Sequence, residues 1–241
     1  MAHPADAGAK GHVFVEGLGD ELILDGEEGH HLSRVLRLRV GEVVTAADGK
    51  GTWRPYAVAE VTRAGLGLVA AGPSQEEPEP PVTLAVAFAL TKGGKPELTV
   101  QKLTELGVDR ILPVLGARSV ARPAPDRAAA DLVRWQRVAA EAAKQCRRAR
   151  LPAVEPLAPV SGLAGHPALV VAERGGVDVG RLAVPPAGEV LVAVGPEGGW
   201  ERGEVEALRP WATITLGPHV LRAETAALAA AAMLAARYRP A

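Results

Sequence analysis

Val190-Leu191-Val192-Ala193-Val194-Gly195-Pro196-Glu197-Gly198-Gly199-Trp200 is the stretch on which the fold of this chain turns. Five apolar residues in a row suit a strand buried on both faces, as in a parallel sheet. The turn that follows leads into residues 201–208, which read as a helix, and in open α/β sheets that strand-end position is where ligands bind. Its glycines let backbone approach a ligand closely, although any strand-to-helix turn uses glycine as well. The turn has neither the G-x-G-x-x-G spacing nor the Walker lysine, so by motif it is not a dinucleotide or nucleoside-triphosphate loop.

The same logic recurs at the next strand end, in Leu216-Gly217-Pro218-His219-Val220-Leu221-Arg222-Ala223-Glu224-Thr225-Ala226. Two adjacent strand-end loops, each entering a helix, would wall one pocket. Arg222 and Glu224 then stand either as charges at its rim or as a local ion pair at a helix start.

Outward from these loops, residues 82–90, 110–115, 168–172 and 213–216 read as further strands. Residues 126–150 and 224–238 read as helices, and another helix runs from Pro96 to a stop at Gly107. The alternation describes an α/β domain with a mostly parallel sheet. On the long helix, Leu132, Trp135, Ala139, Ala142 and Cys146 make a core stripe. Arg127, Arg134, Arg137, Lys144 and Arg148 share a different arc of about 100°. The final helix is apolar all round over 226–236, so either the domain core or a second subunit must cover it.

Upstream, residues 73–81 are proline-rich and acidic, which excludes a regular helix or an interior strand and suits a linker. Before it come short strand-like runs at 12–16, 21–24, 42–46, 56–61 and 66–70, with one helix near 27–36. Many short strands at close spacing suggest a small barrel. Arg34, Arg37, Arg39, Lys50 and Arg54 fall in this half near Trp53 and Tyr56, a set that suits bases and phosphates or is simply scattered surface charge.

The 241 residues are 48% hydrophobic, enough for a packed globular chain, and 27 basic residues nearly cancel 28 acidic ones. The charge is unevenly placed. Residues 118–150 carry nine basic groups against three acids, whereas residues 16–28 carry six acids and no base. A polyanion would feel the first segment, although a solvated helix face looks the same in sequence. Cys146 is the only cysteine, which excludes an intrachain disulfide and a cysteine-based zinc site. No histidine pair has i, i+4 spacing and His30 and His31 are adjacent, so no metal is expected. Residues 1–10 lack the apolar core of a signal peptide, and the apolar run at 226–236 is far short of the roughly 20 residues that span a bilayer. A cytoplasmic protein is expected.

Together the two loops resemble those of the ribosomal RNA small subunit methyltransferase E (RsmE) family, within the SPOUT superfamily. Three other pieces are similar to that family, in the same order along the chain. They are His30-His31-Leu32-Ser33-Arg34-Val35-Leu36-Arg37, Gln101-Lys102-Leu103-Thr104-Glu105-Leu106-Gly107-Val108, and Arg134-Trp135 with Gln145-Cys146. The resemblance implies an N-terminal PUA-like β-barrel domain that helps hold RNA (1–72), a linker (73–81) and a C-terminal SPOUT-type knotted α/β domain (82–241). The knot follows from the resemblance alone, since general topology rules predict a plain doubly wound sheet.

It further implies a homodimer that methylates N3 of one uridine in 16S ribosomal RNA with S-adenosylmethionine. Leu216, Gly217 and Leu221 would meet the adenine; Gly195, Pro196, Glu197 and Gly198 would line the ribose and methionine; Arg222, Glu224, Thr225 and Ala226 complete the expected cofactor site. Arg222 is the candidate to stabilise the uracil anion, and Glu224 or Glu197 to take the proton or fix the base. Arg34, Arg37, Arg39, Arg134, Arg137, Lys144 and Arg148 are the expected RNA contacts. The chain departs from the family pattern at Lys144 and Arg147, where Glu and Gly are usual, and at His219, where Arg is usual; more positive charge near Arg148 points to tighter phosphate contact. Two rival classes are a nucleotide-dependent oxidoreductase, which lacks its glycine fingerprint here, and a non-catalytic RNA-binding or ribosome-assembly factor of the same fold.

Overall fold

The computed structural model describes residues 3–63, 65–185, 188–201 and 203–239, with backbone only at 27 and 31. The spans 1–72 and 82–241 also include Met1, Ala2, Ala64, Pro186, Ala187, Arg202, Pro240 and Ala241, which lie outside the described residues, as do the side chains of Glu27 and His31. The chain divides into two compact units, Met1–Glu79 with Ala140–Leu151, and Pro80–Ala139 with Pro152–Ala241. Among the described residues no helix is long and apolar enough to cross a membrane.

The first unit contains β1 (Gly11–Phe14), β2 (Glu21–Leu24), α1 (Gly26–His30) running into a π-helical turn (His31–Val35), β3 (Val43–Ala47), β4 (Thr52–Val61), β5 (Leu66–Ala70) and β6 (Gln75–Glu76). The strands form one sheet in the order β1-β3-β4-β5-β2, with β6 paired to β4. β1 and β3 are parallel and the other pairs antiparallel. Alternation along the strands sends Val13, Leu24, Val44, Tyr56, Val58, Leu66 and Leu68 into one core.

That core overturns one expectation. Trp53 and Tyr56 are 2% and 0% exposed and present no face to a base. The Tyr56 hydroxyl donates to the Gly19 carbonyl at 2.8 Å. Arg54 donates to the carbonyls of Gly72 at 2.7 Å and Gly19 at 3.1 Å and pairs with Asp20. These residues hold the sheet to the 18–20 turn, because inward and outward positions alternate along β4 in a way that its neighbours, not its composition, decide.

In the second unit, β7 (Thr83–Ala89), α2 (Lys95–Glu105), β8 (Arg110–Leu115) and α3 (Pro125–Cys146) come first. The C-terminal turns of α3 belong to the first unit. Then follow β9 (Ala153–Val154), β10 (Ala158–Pro159), β11 (Leu169–Val177), β12 (Glu189–Val194), α4 (Glu204–Leu208), β13 (Ala212–Ile214) and α5 (Ala223–Tyr238). The strand order is β10-β8-β7-β12-β11-β13, with β9 on β8, and every pairing is parallel.

β7 is apolar throughout because both of its faces are covered. Leu84, Val86 and Phe88 enter the cluster that includes Trp135, Ala227 and Leu234, while Ala85 and Ala87 enter the opposite cluster with Leu163 and Leu208. β12 alternates likewise, Val190, Val192 and Val194 against Leu191 and Ala193. β12 is later in sequence than β11 yet lies between β7 and β11. The chain thus returns into the middle of its own sheet, where a plain doubly wound sheet would add strands at an edge.

α3 ends at Cys146, earlier than the expected Arg150. Arg147 takes φ +59°, its N–H reaches the Lys144 carbonyl and the Arg148 N–H reaches that of Ala143. This is a Schellman stop with arginine where glycine usually stands. Arg148 therefore lies beyond the helix and off the expected basic arc.

Candidate active site

Parallel strands place the loops that follow β7, β8, β12, β11 and β13 at one edge of the sheet. A cavity of about 330 Å³ opens there, walled by the ends of β12, β11 and β13 and the start of α5. The loops after β12 and β13 face it as expected, but their strands are not neighbours, since β11 lies between them. The end of β11 is therefore a third wall, contributing Ala172, Glu173 and Arg174. The pairing of β11 with β13 shifts register between Ala172 and Val177, and such a bulge lifts the intervening residues out of the sheet. Gly176 is needed inside it, because a Cβ would stand 2.5 Å from the Ile214 backbone.

The β12 loop is held by its own residues. The Gly199 N–H donates to the Pro196 carbonyl at 2.8 Å, with Gly199 at φ +71°. A Cβ on Gly195 would lie 3.0 Å from the Trp200 ring, and the Trp200 indole donates to the Ala172 carbonyl at 3.1 Å. On the β13 side, Gly217 lines the cavity with φ +125°, and nothing lies within 4 Å of where its Cβ would stand. Arg222 is extended and gives α5 no side-chain cap, which leaves the helix's first N–H groups to other acceptors. Few charged groups line the cavity; its walls are mainly apolar side chains and backbone, as in sites for small organic ligands.

Of the expected cofactor residues, Gly195, Pro196, Glu197, Leu216, Gly217, Leu221 and Ala226 line this cavity, and Gly198, Arg222, Glu224 and Thr225 do not. The Gly198 carbonyl accepts from Arg118 at 3.0 Å. Thr225 and Arg222 are exposed at the start of α5. The side chain of Glu224 is 13% exposed and faces the Lys95 ammonium at 3.5 Å. Lys95 also donates to Glu197 at 2.6 Å. That bond, followed by the charges of Lys95 and Arg222, holds the Glu197 carboxyl below the usual carboxylate range, and Glu197 in turn raises Lys95.

Lys95 and the β11 wall lie outside both loops and escape a reading by spacing, whereas Trp200 and His219 stand in the loops but are not among the expected cofactor contacts. A usable signal was a lysine at the first position of a helix, against the helix dipole, and a Gly175-Gly176 pair at a strand end.

Of the expected RNA contacts, Arg34, Arg37, Arg39, Arg134 and Arg137 are exposed. Arg134 pairs with Glu97 and, at 3.0 Å, with Asp131. Lys144 pairs with Glu28 and, at 3.0 Å, with Glu141, so much of the charge it adds is balanced within the protein. The Arg148 carbonyl accepts from His12 Nε2 at 3.0 Å. Among the described residues no group of three or more His, Cys, Asp or Glu side chains could hold a metal ion.

The family model for the RNA methyltransferase domain matches residues 78–235, and that for the RNA methyltransferase PUA domain matches residues 24–66. Ribosomal RNA small subunit methyltransferase E of Mycobacterium bovis is 36% identical over 91% of this chain and 89% of its own length. The Bacillus subtilis protein of that name is 31% identical over 85% and 86%. Among solved structures, ribosomal RNA small subunit methyltransferase E of Neisseria gonorrhoeae, bound to S-adenosyl methionine, superposes with a TM-score of 0.81 at 28% identity over 94% of this chain and 97% of that one. A Legionella pneumophila putative methyltransferase in complex with the same cofactor gives 0.79 at 28% identity over 93% and 96%. By its sequence and by the course of its sheet, this chain belongs to the ribosomal RNA small subunit methyltransferase E family.

Proposed function

We propose that the protein methylates N3 of a specific uridine in 16S ribosomal RNA, with S-adenosylmethionine as donor, acting in the cytoplasm as a homodimer. The observation that carries this reading is the three-walled cavity at the strand ends, in a chain 36% identical to a ribosomal RNA small subunit methyltransferase E. The cavity suits the cofactor: its size is that of a small-molecule site, and Gly217 keeps clear the space a side chain would fill. When bound, the cofactor supplies an electrophilic sulfonium methyl group. Backbone around Leu216, Gly217 and Leu221 would meet its adenine, and Gly195, Pro196 and Glu197 the ribose and methionine, with Gly198, Thr225 and Ala226 around them.

Uridine N3 carries a proton at neutral pH, so the protein must stabilise the anion formed when that proton leaves. Arg222, exposed at the start of α5, is assigned to the negative charge developing on the uracil ring. Glu224, with Oε2 buried and unbonded, is assigned to accept or hold the N3 proton, and Glu197 is the alternative. Holding nitrogen and methyl carbon in line supplies much of the remaining acceleration.

We infer that residues 1–72 hold RNA, residues 73–81 link, and residues 82–241 carry the chemistry. Exposed Arg34, Arg37 and Arg39 would reach phosphates directly, while Arg134, Arg137, Lys144 and Arg148 would exchange or share existing partners. The homodimer is supported by α5: Ala227, Ala230 and Leu234 are buried, yet Ala232 and Ala236 leave an apolar face exposed.

The test is a mass map of 16S ribosomal RNA from strains with and without the gene. Loss of one methyluridine on deletion, restored by the wild-type gene, is the expected result. An unchanged map would favour a non-catalytic RNA-binding factor. Calorimetry showing no S-adenosylmethionine binding would sink the cofactor assignment.

A further inference from the structure

Lys95 is the first residue of α2, where a cation faces the positive end of the helix dipole. A local preference broken in this way points to a role outside the helix. The side chain spans from α2 to two elements far away in sequence. Its ammonium lies 2.6 Å from Glu197 Oε1 in the β12 loop and 3.5 Å from Glu224 Oε1 in α5. Glu224 has little access to water and its Oε2 has no hydrogen-bond partner, so Lys95 is the cation that balances this carboxylate among the described residues.

Arg222 stands two residues before Glu224 and close enough for its charge to act on Glu197. It nevertheless forms no ion pair or hydrogen bond through its guanidinium among the described residues. Two carboxylates, one of them on the cavity-lining loop after β12, are thus taken by one cation, and a second cation, Arg222, stands exposed two residues before Glu224. We propose that Lys95 is a positioning residue for methyl transfer: by occupying Glu197 and Glu224 together, it keeps the Arg222 guanidinium unpaired and available to the uracil ring. This inference rests on the role assigned to Arg222 above.

If Lys95 is removed, two uncompensated carboxylates remain, and Arg222 is a cation whose charge already acts on one of them. An Arg222 paired with Glu197 or Glu224 is no longer free for a developing anion. Lys95→Met should therefore lower kcat by about 10-fold to 100-fold, less than the roughly 100-fold to 1000-fold loss seen when an anion-stabilising donor is removed outright. The KM for S-adenosylmethionine should stay within about threefold, because the interaction acts in the transition state. Lys95→Arg keeps the charge and should retain most of the rate.

A decisive readout is rescue. Lys95→Arg, which keeps the charge, should restore kcat toward wild type where Lys95→Gln does not, and the loss in Lys95→Met should fall on kcat with little change in the KM for S-adenosylmethionine, a split that a merely structural lysine would not produce. The assay uses the full-length protein, small-subunit RNA and S-adenosylmethionine, with wild type and Arg222→Ala run alongside. If wild type is inactive, or Arg222→Ala is as fast as wild type, the reading of Arg222 fails. If Arg222→Ala is slow but Lys95→Met is as fast as wild type, or Lys95→Arg is no faster than Lys95→Met, the present inference alone is overturned. Circular dichroism checks the fold of each variant, and Lys95→Gln is measured in the same way if Lys95→Met does not fold.

Discussion

Trp200 donates its indole N–H to the carbonyl of Ala172 across 3.1 Å, joining the glycine-rich loop after β12 to the end of β11. The same ring packs on Gly195, so one side chain sets the spacing of two of the three cavity walls. Trp200→Phe keeps an aromatic ring and deletes the donor. It should cost about 1 kcal/mol of stability, the usual net value of such a bond. Cofactor affinity should fall as well. Urea unfolding and calorimetry with S-adenosylmethionine check the pair, and unchanged affinity would show that the loop keeps its place without the bond.

Gly217 combines φ +125° with open space where a Cβ would stand. Gly217→Val adds a branched side chain to a cavity-lining position and forces it into left-handed backbone. We expect cofactor binding to be lost and stability to fall by about 1–2 kcal/mol. Retained binding in a calorimetric titration would remove Gly217 from the cofactor site.

His12 is buried in the first unit, with Nδ1 at 2.8 Å from the Thr45 hydroxyl and Nε2 donating to the Arg148 carbonyl. Burial is the main cause that lowers its pKa from 6.5 to about 4. The unfolded chain therefore binds the proton first. The stability of the neutral folded form is fully present above pH 6.5 and is lost as pH falls toward 4, by about 3 kcal/mol in all. Denaturation midpoints at pH 7 and pH 4.5 should differ more in wild type than in His12→Gln. Equal differences would place the acid sensitivity elsewhere.

Arg147 holds φ +59° at the stop of α3, a conformation that glycine adopts without steric cost. Arg147→Gly should raise stability by up to about 1 kcal/mol, less the extra entropy glycine gives the unfolded chain. Thermal unfolding reads the sign directly. A lower melting temperature would mean that the arginine side chain contributes more than its backbone costs.

Arg34 is exposed in the π-helical turn, and Arg39 is exposed between that turn and β3. If they meet phosphates, changing both to alanine should weaken RNA binding at every sequence tested and reduce the slope of log affinity against log salt by about 1 per contact. S-adenosylmethionine affinity should not change. An unaltered salt slope would exclude both from the RNA interface.

Local pattern was enough for much of the molecule. The runs at 21–24, 66–70 and 110–115 became β2, β5 and β8 without a shift, and the two glycine-rich loops open on one cavity. Less was legible where partners lie far away in sequence. Trp53 and Tyr56 have the composition of an RNA-facing surface, yet the sheet buries both. Arg134 and Lys144 read as free basic groups, but Glu97 and Glu28 neutralise part of their charge from elsewhere in the chain.

By itself the sequence determined where most of the strands and helices lie, and that two strand-end loops face one cavity. Those features follow from hydrophobic period and from glycine and proline, which act over a few residues. Only the tertiary structure decided that β12 enters between β7 and β11, that β11 supplies a third wall, and that Lys95 joins Glu197 to Glu224. Strand order and ion pairing depend on which surfaces meet after the chain has folded back on itself, and a periodicity confined to one segment carries no record of the segment it will meet.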